Sequence, residues 1–138
     1  MPNGIELLLA DHQRVTDLFG RFAETEDASY VGRIIDVLAA HDDAEQGGLY
    51  PLVGNLLGDV DMVERAATAH SLVKQQIDIV SSLEGPALVS AVAVLQELVA
   101  KHVEDEEANI LPALAEVATA QQLQGLAARI MQIKQRVG

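Results

Sequence analysis

The sequence predicts an all-α protein, an up-down-up-down four-helix bundle with a short C-terminal fifth helix. Three observations carry this expectation. Apolar residues recur at helical spacing through most of the chain, with no strand-like alternation. Hydrophobic residues make up 49% of the composition but aromatics only 3%, so the core must be built from Leu, Val, Ile and Ala, a mixture that favours packed helices. Turn signals separate segments of similar length by short gaps, which makes consecutive helices antiparallel neighbours.

The first helix runs from about Asn3, a plausible N-cap, to about Glu24, with Ile5, Leu8, Leu9, Val15, Phe19 and Phe22 on one stripe and His12 within it. The second begins near Ser29 and carries Ile34, Val37 and Leu38 ahead of His41 and Glu45. It is expected to fray or kink at Gly47-Gly48, before Tyr50-Pro51, then continue through Leu52, Val53, Leu56 and Leu57 to a stop at Gly58. The third starts at Asp59 or Asp61, either of which can cap it, and runs through Val63, Ala66, His70, Val73, Ile77 and Val80 to Leu83. After the turn at Glu84-Gly85-Pro86, the fourth carries Leu88, Val92, Leu95, Val99, His102, Glu106 and Ile110, and Pro112 bends its end. A capping box of Thr119 and Gln122 opens the fifth, with Leu123, Leu126, Ile130 and Ile133 on one side. The spacing does not decide whether that side packs on the bundle or on another subunit.

The 138 residues read as one domain, with the bundle over about 3–118 and the last helix over about 119–136. There is no cysteine, which excludes disulfides, thiolate metal sites, iron–sulfur clusters and thiol nucleophiles; any metal must be held by nitrogen and oxygen. The formal charge of -12 and the lack of a basic stripe argue against nucleic-acid backbones and anionic membranes as partners. The N-terminus lacks a basic segment, and its apolar run is interrupted by Glu6 and stopped by Asp11, so it reads as neither signal peptide nor membrane span. The expected location is cytoplasmic.

Residues four apart share a helix face, so His102 and Glu106 offer a nitrogen and a carboxylate to one point in space, and His41 and Glu45 repeat the pair. His12 and His70 complete the set of four histidines in the chain. At ~1.5 Å per residue, His70 and His102 lie roughly 21 and 24 Å from the turn that joins their helices, and His12 and His41 about 22 and 20 Å from theirs. One mid-bundle site can therefore collect all four. A lone histidine on an apolar stripe is usually a satisfied core residue, but four inward imidazoles and two inward carboxylates burden a small greasy core unless a cation compensates them. Within the run Glu104 to Glu107, the register shared with His41–Glu45 selects Glu106 over Asp105, while Glu104 and Glu107 read as a solvated face. Asp42 points about 100° away from His41 and is assigned to supporting or surface duty rather than ligation. Six such side chains exceed the needs of one structural zinc; two metals sharing two bridging carboxylates fit better, and iron suits this donor set best. The Glu-x-x-His motif of ferritin-like bundles is absent.

The ordered pattern of His12, His41-x-x-x-Glu45, His70 and His102-x-x-x-Glu106, together with Leu49-Tyr50-Pro51 and Ile110-Leu111-Pro112, resembles the hemerythrin-like family, also called the HHE cation-binding domain. The resemblance covers the first four helices. It implies two iron ions with an oxo or hydroxo bridge, His12 and His41 serving one iron, His70 and His102 the other, and Glu45 and Glu106 spanning both. The chain departs from the oxygen-carrying members, which have a further histidine where Lys74 stands and a bridging aspartate five residues after its histidine rather than Glu106 at four. One iron therefore loses a ligand, and either that position is open to small molecules or Tyr50 fills it. The functional expectation is a di-iron protein that reacts with peroxide, oxygen or nitric oxide in response to oxidative stress, in a catalase-like or peroxidase-like manner. The alternatives are a non-catalytic protein that binds or senses oxygen or iron, and a structural bundle whose histidines are incidental.

Overall fold

A computed structural model describes residues 1–137, with side chains through Gln135; Gly138, the last residue of the expected domain, lies outside them. The elements in order are α1 (Gly4–Thr25), α2 (Ser29–Ala44), a first π turn (Glu45–Leu49), α3 (Tyr50–Leu57), α4 (Val60–Ser81), α5 (Gly85–Asp105), a second π turn (Glu106–Ile110), α6 (Leu111–Val117) and α7 (Ala120–Val137). Because α2 runs through its π turn into α3, and α5 through its own into α6, the chain forms the expected four-helix bundle with a fifth helix against it. No strand occurs among the described residues.

Local chemistry sets the ends. Asn3 and Glu6 form a reciprocal capping box at α1, each side chain accepting from the other's backbone N–H at 2.9 Å. Asp59, not Asp61, caps α4 by accepting from the Met62 N–H at 3.0 Å. Thr119 and Gln122 form the box that opens α7, at 3.1 and 2.8 Å. Gly58 at φ 64° and Gly85 at φ 61° supply the left-handed conformation at their turns.

The expected fraying at Gly47-Gly48 is corrected: the helix passes through that point in a single widened turn, an irregularity of the kind that the expected kink required. The cause is Pro51, three residues after Gly48. Pro51 has no N–H to give to the carbonyl of Gly47, and its ring would collide with that carbonyl in an α-turn. The helix responds with a π turn, in which the Tyr50 N–H reaches the carbonyl of Glu45. Pro112 does the same to the fourth helix, where the Leu111 N–H reaches the carbonyl of Glu106. Both π turns begin at an inward glutamate. The glycines serve a different purpose, close approach of α7: a Cβ on Gly47 would lie 2.8 Å from Ile133 Cδ1, and one on Gly48 would lie 3.3 Å from Leu126 Cδ1. The apolar side of α7 accordingly packs on the bundle, over α1, α2 and the first π turn, with Leu126 and Ile130 buried.

The core falls into two apolar slabs, one around Phe19, Ile34, Val92 and Leu95, the other around Leu8, Leu49, Val53, Ile110, Leu114 and Ile130. Each fully buried Leu or Ile contributes roughly 1.5–3 kcal/mol. Between the slabs lies one polar layer, made of His12, His41, Glu45, His70, His102 and Glu106. The segment Gly85–Val117 is long and apolar enough to cross a membrane by length and composition. Its stripe of Leu88, Val92, Leu95 and Val99 is buried in the first slab, with His102 and Glu106 in the polar layer, which is the packing of a bundle's core helix.

Candidate metal centre

The two carboxylates come from the starts of the two π turns and are fully buried, each 0% exposed. The four histidines project toward them. His12 Nε2 lies 3.1 Å from Glu106 Oε1, His41 Nε2 3.2 Å from Glu45 Oε1, His70 Nε2 2.8 Å from Glu45 Oε1 and His102 Nε2 3.0 Å from Glu106 Oε2. The rings pair, with His12–His41 centroids 4.9 Å apart and His70–His102 centroids 4.5 Å apart. Two groups result, His12, His41, Glu45 and Glu106 on one side and Glu45, His70, His102 and Glu106 on the other; within each, the potential ligand atoms lie within 4.8 Å of one another. The carboxylates belong to both groups, as bridging requires.

Acids hold the outer nitrogens. Asp11 accepts from His41 Nδ1 at 2.9 Å, Glu107 from His12 Nδ1 at 2.7 Å, and Asp42 from His70 Nδ1. An Nδ1–H so engaged leaves the Nε2 lone pair directed inward, the arrangement typical of metal-ligating histidine. His102 differs, since its Nδ1 is buried without a hydrogen-bond partner. The expectation that Glu107 belongs to a solvated face is therefore corrected: its side chain is 43% exposed yet reaches across to His12 Nδ1 on α1. Asp42 is a supporting residue of His70, and Asp105 turns outward to Arg65 at 3.8 Å instead of competing with Glu106.

Asp11 is the supporting residue that the sequence reading missed. A signal for it exists in the chain: Asp11, Asp42 and Glu107 each adjoin a residue of the inward set, and each supports a histidine on a neighbouring helix. Lys134 from α7 completes the group, donating to both oxygens of Asp11 at 2.7 Å. Lys74, where the oxygen carriers have histidine, lies 3.6 Å from Asp42 and is 72% exposed, so it does not enter the centre.

Tyr50 turns inward. Its hydroxyl lies 2.8 Å from His70 Nε2 and 3.3 Å from His102 Nε2, and within hydrogen-bonding distance of Glu106 Oε2 (3.0 Å) and Glu45 Oε1 (3.3 Å). Of the four histidines it lies against His70 and His102.

The electrostatics call for positive charge. Burial alone would lower the pKa of His41, but the charge of Glu45 and the hydrogen bond to Asp11 outweigh it and hold the group at about 10. At His102 burial is likewise outweighed, by hydrogen bonds to Glu106 and Glu45, giving about 9. Burial would raise the Glu45 carboxyl, yet the facing His41 holds it well below its ordinary value. Burial and the nearby Glu45 and Glu106 push the Tyr50 phenol far up, so an adjacent cation is needed to ionise it. His41 Nε2 and Glu45 Oε2 are buried without an aligned hydrogen-bond partner. Nitrogen and oxygen lone pairs left without a partner in a buried layer fit a metal cation.

Comparison with known proteins agrees with this geometry. A curated protein described as a DNA nickase from Nostoc sp. (strain PCC 7120 / SAG 25.82 / UTEX 2576) is 25% identical over 138 residues, which is 96% of this chain but 39% of that protein. The chain thus spans well under half the length of this relative. The crystal structure of a hemerythrin HHE cation-binding domain-containing protein, the Rv2633c homolog from Mycobacterium kansasii, superposes with a TM-score of 0.84 at 22% identity, covering 99% of this chain and 90% of that one, and establishes the shared fold. The model of the hemerythrin HHE cation-binding domain matches residues 3–114, which include the whole polar layer. The chain belongs to the hemerythrin HHE cation-binding domain family.

Proposed function

We propose that the polar layer holds two iron ions with an oxo or hydroxo bridge, and that the protein reacts with peroxide in a catalase-like or peroxidase-like way, with oxygen and nitric oxide as related ligands. His12 and His41 bind one iron, His70 and His102 the other, and Glu45 and Glu106 span the pair. The observation that carries this reading is the convergence of four Nε2 atoms on two fully buried carboxylates that belong to both groups. When bound, the iron pair supplies Lewis acidity and electrons for chemistry at the O–O bond.

The chain's own residues set the terms. Asp11, Asp42 and Glu107 orient three of the imidazoles and raise their basicity. The apolar slabs above and below shield the layer from bulk water on those two sides and strengthen the charge interactions between them. Tyr50 stands where a missing ligand would stand on the His70–His102 side, as a phenolic donor or as an anionic ligand. This local asymmetry favours reaction over reversible oxygen carriage. The nickase activity named for the longer relative is not carried over, because a net charge of -12 opposes contact with a phosphate backbone.

Elemental analysis with a visible spectrum tests the metal, and oxygen evolution from added peroxide tests the reaction. We expect about two irons per chain, with activity lost in His70→Ala and Glu106→Ala. Activity that survives both substitutions, or protein that takes up no ferrous ion under careful loading, rejects the proposal. Iron binding without peroxide turnover returns the protein to the class of oxygen or iron binders.

A further inference from the structure

The histidine side of the polar layer opens into a cavity of about 350 Å³ in the seam between α2 and α4. The seam is open because α2 packs mainly on α1 and α4 mainly on α5. The cavity reaches all four histidines but not Glu45, Glu106 or Tyr50. Its walls are apolar, formed by Val15, Leu38, Val73, Ile77 and Val99. On α4 the apolar stripe that helical spacing directs inward is only half-buried at Val73 and Ile77, beside the histidines. Side chains patterned for a core thus line an open space.

The volume is too large for the smallest oxygen ligands. A water takes up ~30 Å³ of liquid, and a dry apolar cavity of ~150 Å³ binds benzene. At the same filling, this cavity accepts on the order of a dozen non-hydrogen atoms, whereas peroxide or oxygen has two. Its charged lining sets Asp11, Asp42, Asp43 and Asp78, backed by Glu45 and Glu106 behind the histidines, against Lys74 and the His41 and His102 imidazoliums, a surplus of negative charge that repels carboxylates and phosphates.

We infer that the cavity binds the aliphatic chain of a neutral, medium-chain organic hydroperoxide, with its O–O end at the histidine face. The oxygen end rests on the peroxide reading of the centre; the chain end rests on the cavity alone.

The test is therefore built on binding. 1-Octanol, 1-octyl hydroperoxide and octanoate are titrated into the iron-free and the iron-loaded protein, with calorimetry for affinity and methyl NMR of the iron-free form for location. We expect 1-octanol to bind at least tenfold more tightly than octanoate, to shift the methyls of Val15, Val73, Ile77 and Val99, and to be displaced by 1-octyl hydroperoxide. Val73→Trp, which fills the cavity, should weaken 1-octanol at least tenfold at unchanged metal content. If circular dichroism shows that this variant fails to fold, Ile35→Trp on the opposite wall takes its place. Iron-loaded protein that ignores 1-octanol, equal affinity for octanoate, or a filled variant that binds as the wild type does overturns the inference. Protein that takes up no iron but binds 1-octanol at these methyls counts against the metal reading and supports the cavity assignment.

Discussion

Replacing Asp11 by Asn isolates one contact that lies between α1, α2 and α7. The Asp11 carboxylate takes a hydrogen bond from His41 Nδ1 at 2.9 Å and, on its other side, two from Lys134 at 2.7 Å. Both partners are donors. An amide has one accepting oxygen and one donating nitrogen, so an Asn of the same shape must leave either His41 or Lys134 facing a donor. If the imidazole loses its acceptor, its tautomer and orientation are no longer fixed. Removing such a supporting partner costs about 10- to 100-fold in metal affinity, equivalent to about 1.4–2.7 kcal/mol. The loss should fall on the His12–His41 position, because His70 keeps Asp42 and His102 has no acid at its Nδ1. Competitive titration with a chelator should therefore show one binding step weakened by that factor and the other unchanged. If both steps stay within twofold of wild type, Asp11 does not position His41, and the role given to the three supporting acids is wrong.

Further outcomes follow from the same geometry. In iron-loaded protein, Tyr50→Phe should lose a visible charge-transfer band if the phenol ligates as phenolate; an unchanged band restricts Tyr50 to hydrogen bonding. His41 at about 10 and His102 at about 9 are imidazolium in the metal-free protein at neutral pH, so loading should release about two protons into unbuffered solution, and apparent affinity should rise with pH toward those values. The sign for stability is opposite: because the folded His41 pKa is raised above its ordinary 6.5, its contribution to the metal-free fold is complete below about 6.5 and is lost as pH rises through about 10, which thermal melts across that range will read. Gly4→Ala places a Cβ 2.8 Å from Leu126 Cβ and should destabilise by about 1–3 kcal/mol. With Leu126→Ala added, the double variant should lose less than the sum of the two single losses.

How much of this was legible in the chain depends on whether the cause was local. Helical spacing placed the stripes, and caps such as Asn3 and Thr119 marked helix starts, because those signals act within one or two turns. The inward histidines were legible too, since each shares a face with its apolar neighbours and equal distances from the turns put them at one level. The sequence by itself therefore determined an all-α bundle with a buried layer of His12, His41, Glu45, His70, His102 and Glu106. Tertiary structure alone decided which acid supports which histidine: Asp11 reaches His41, Asp42 reaches His70 and Glu107 reaches His12, each across to another helix. It also decided that Tyr50 faces His70, that α7 docks through Gly4 and Gly47, and that the α2–α4 seam stays open beside the histidines. The physical reason is that periodicity fixes which way a side chain leaves its own helix, whereas a partner on another helix is fixed by crossing geometry and by the added residue of each π turn.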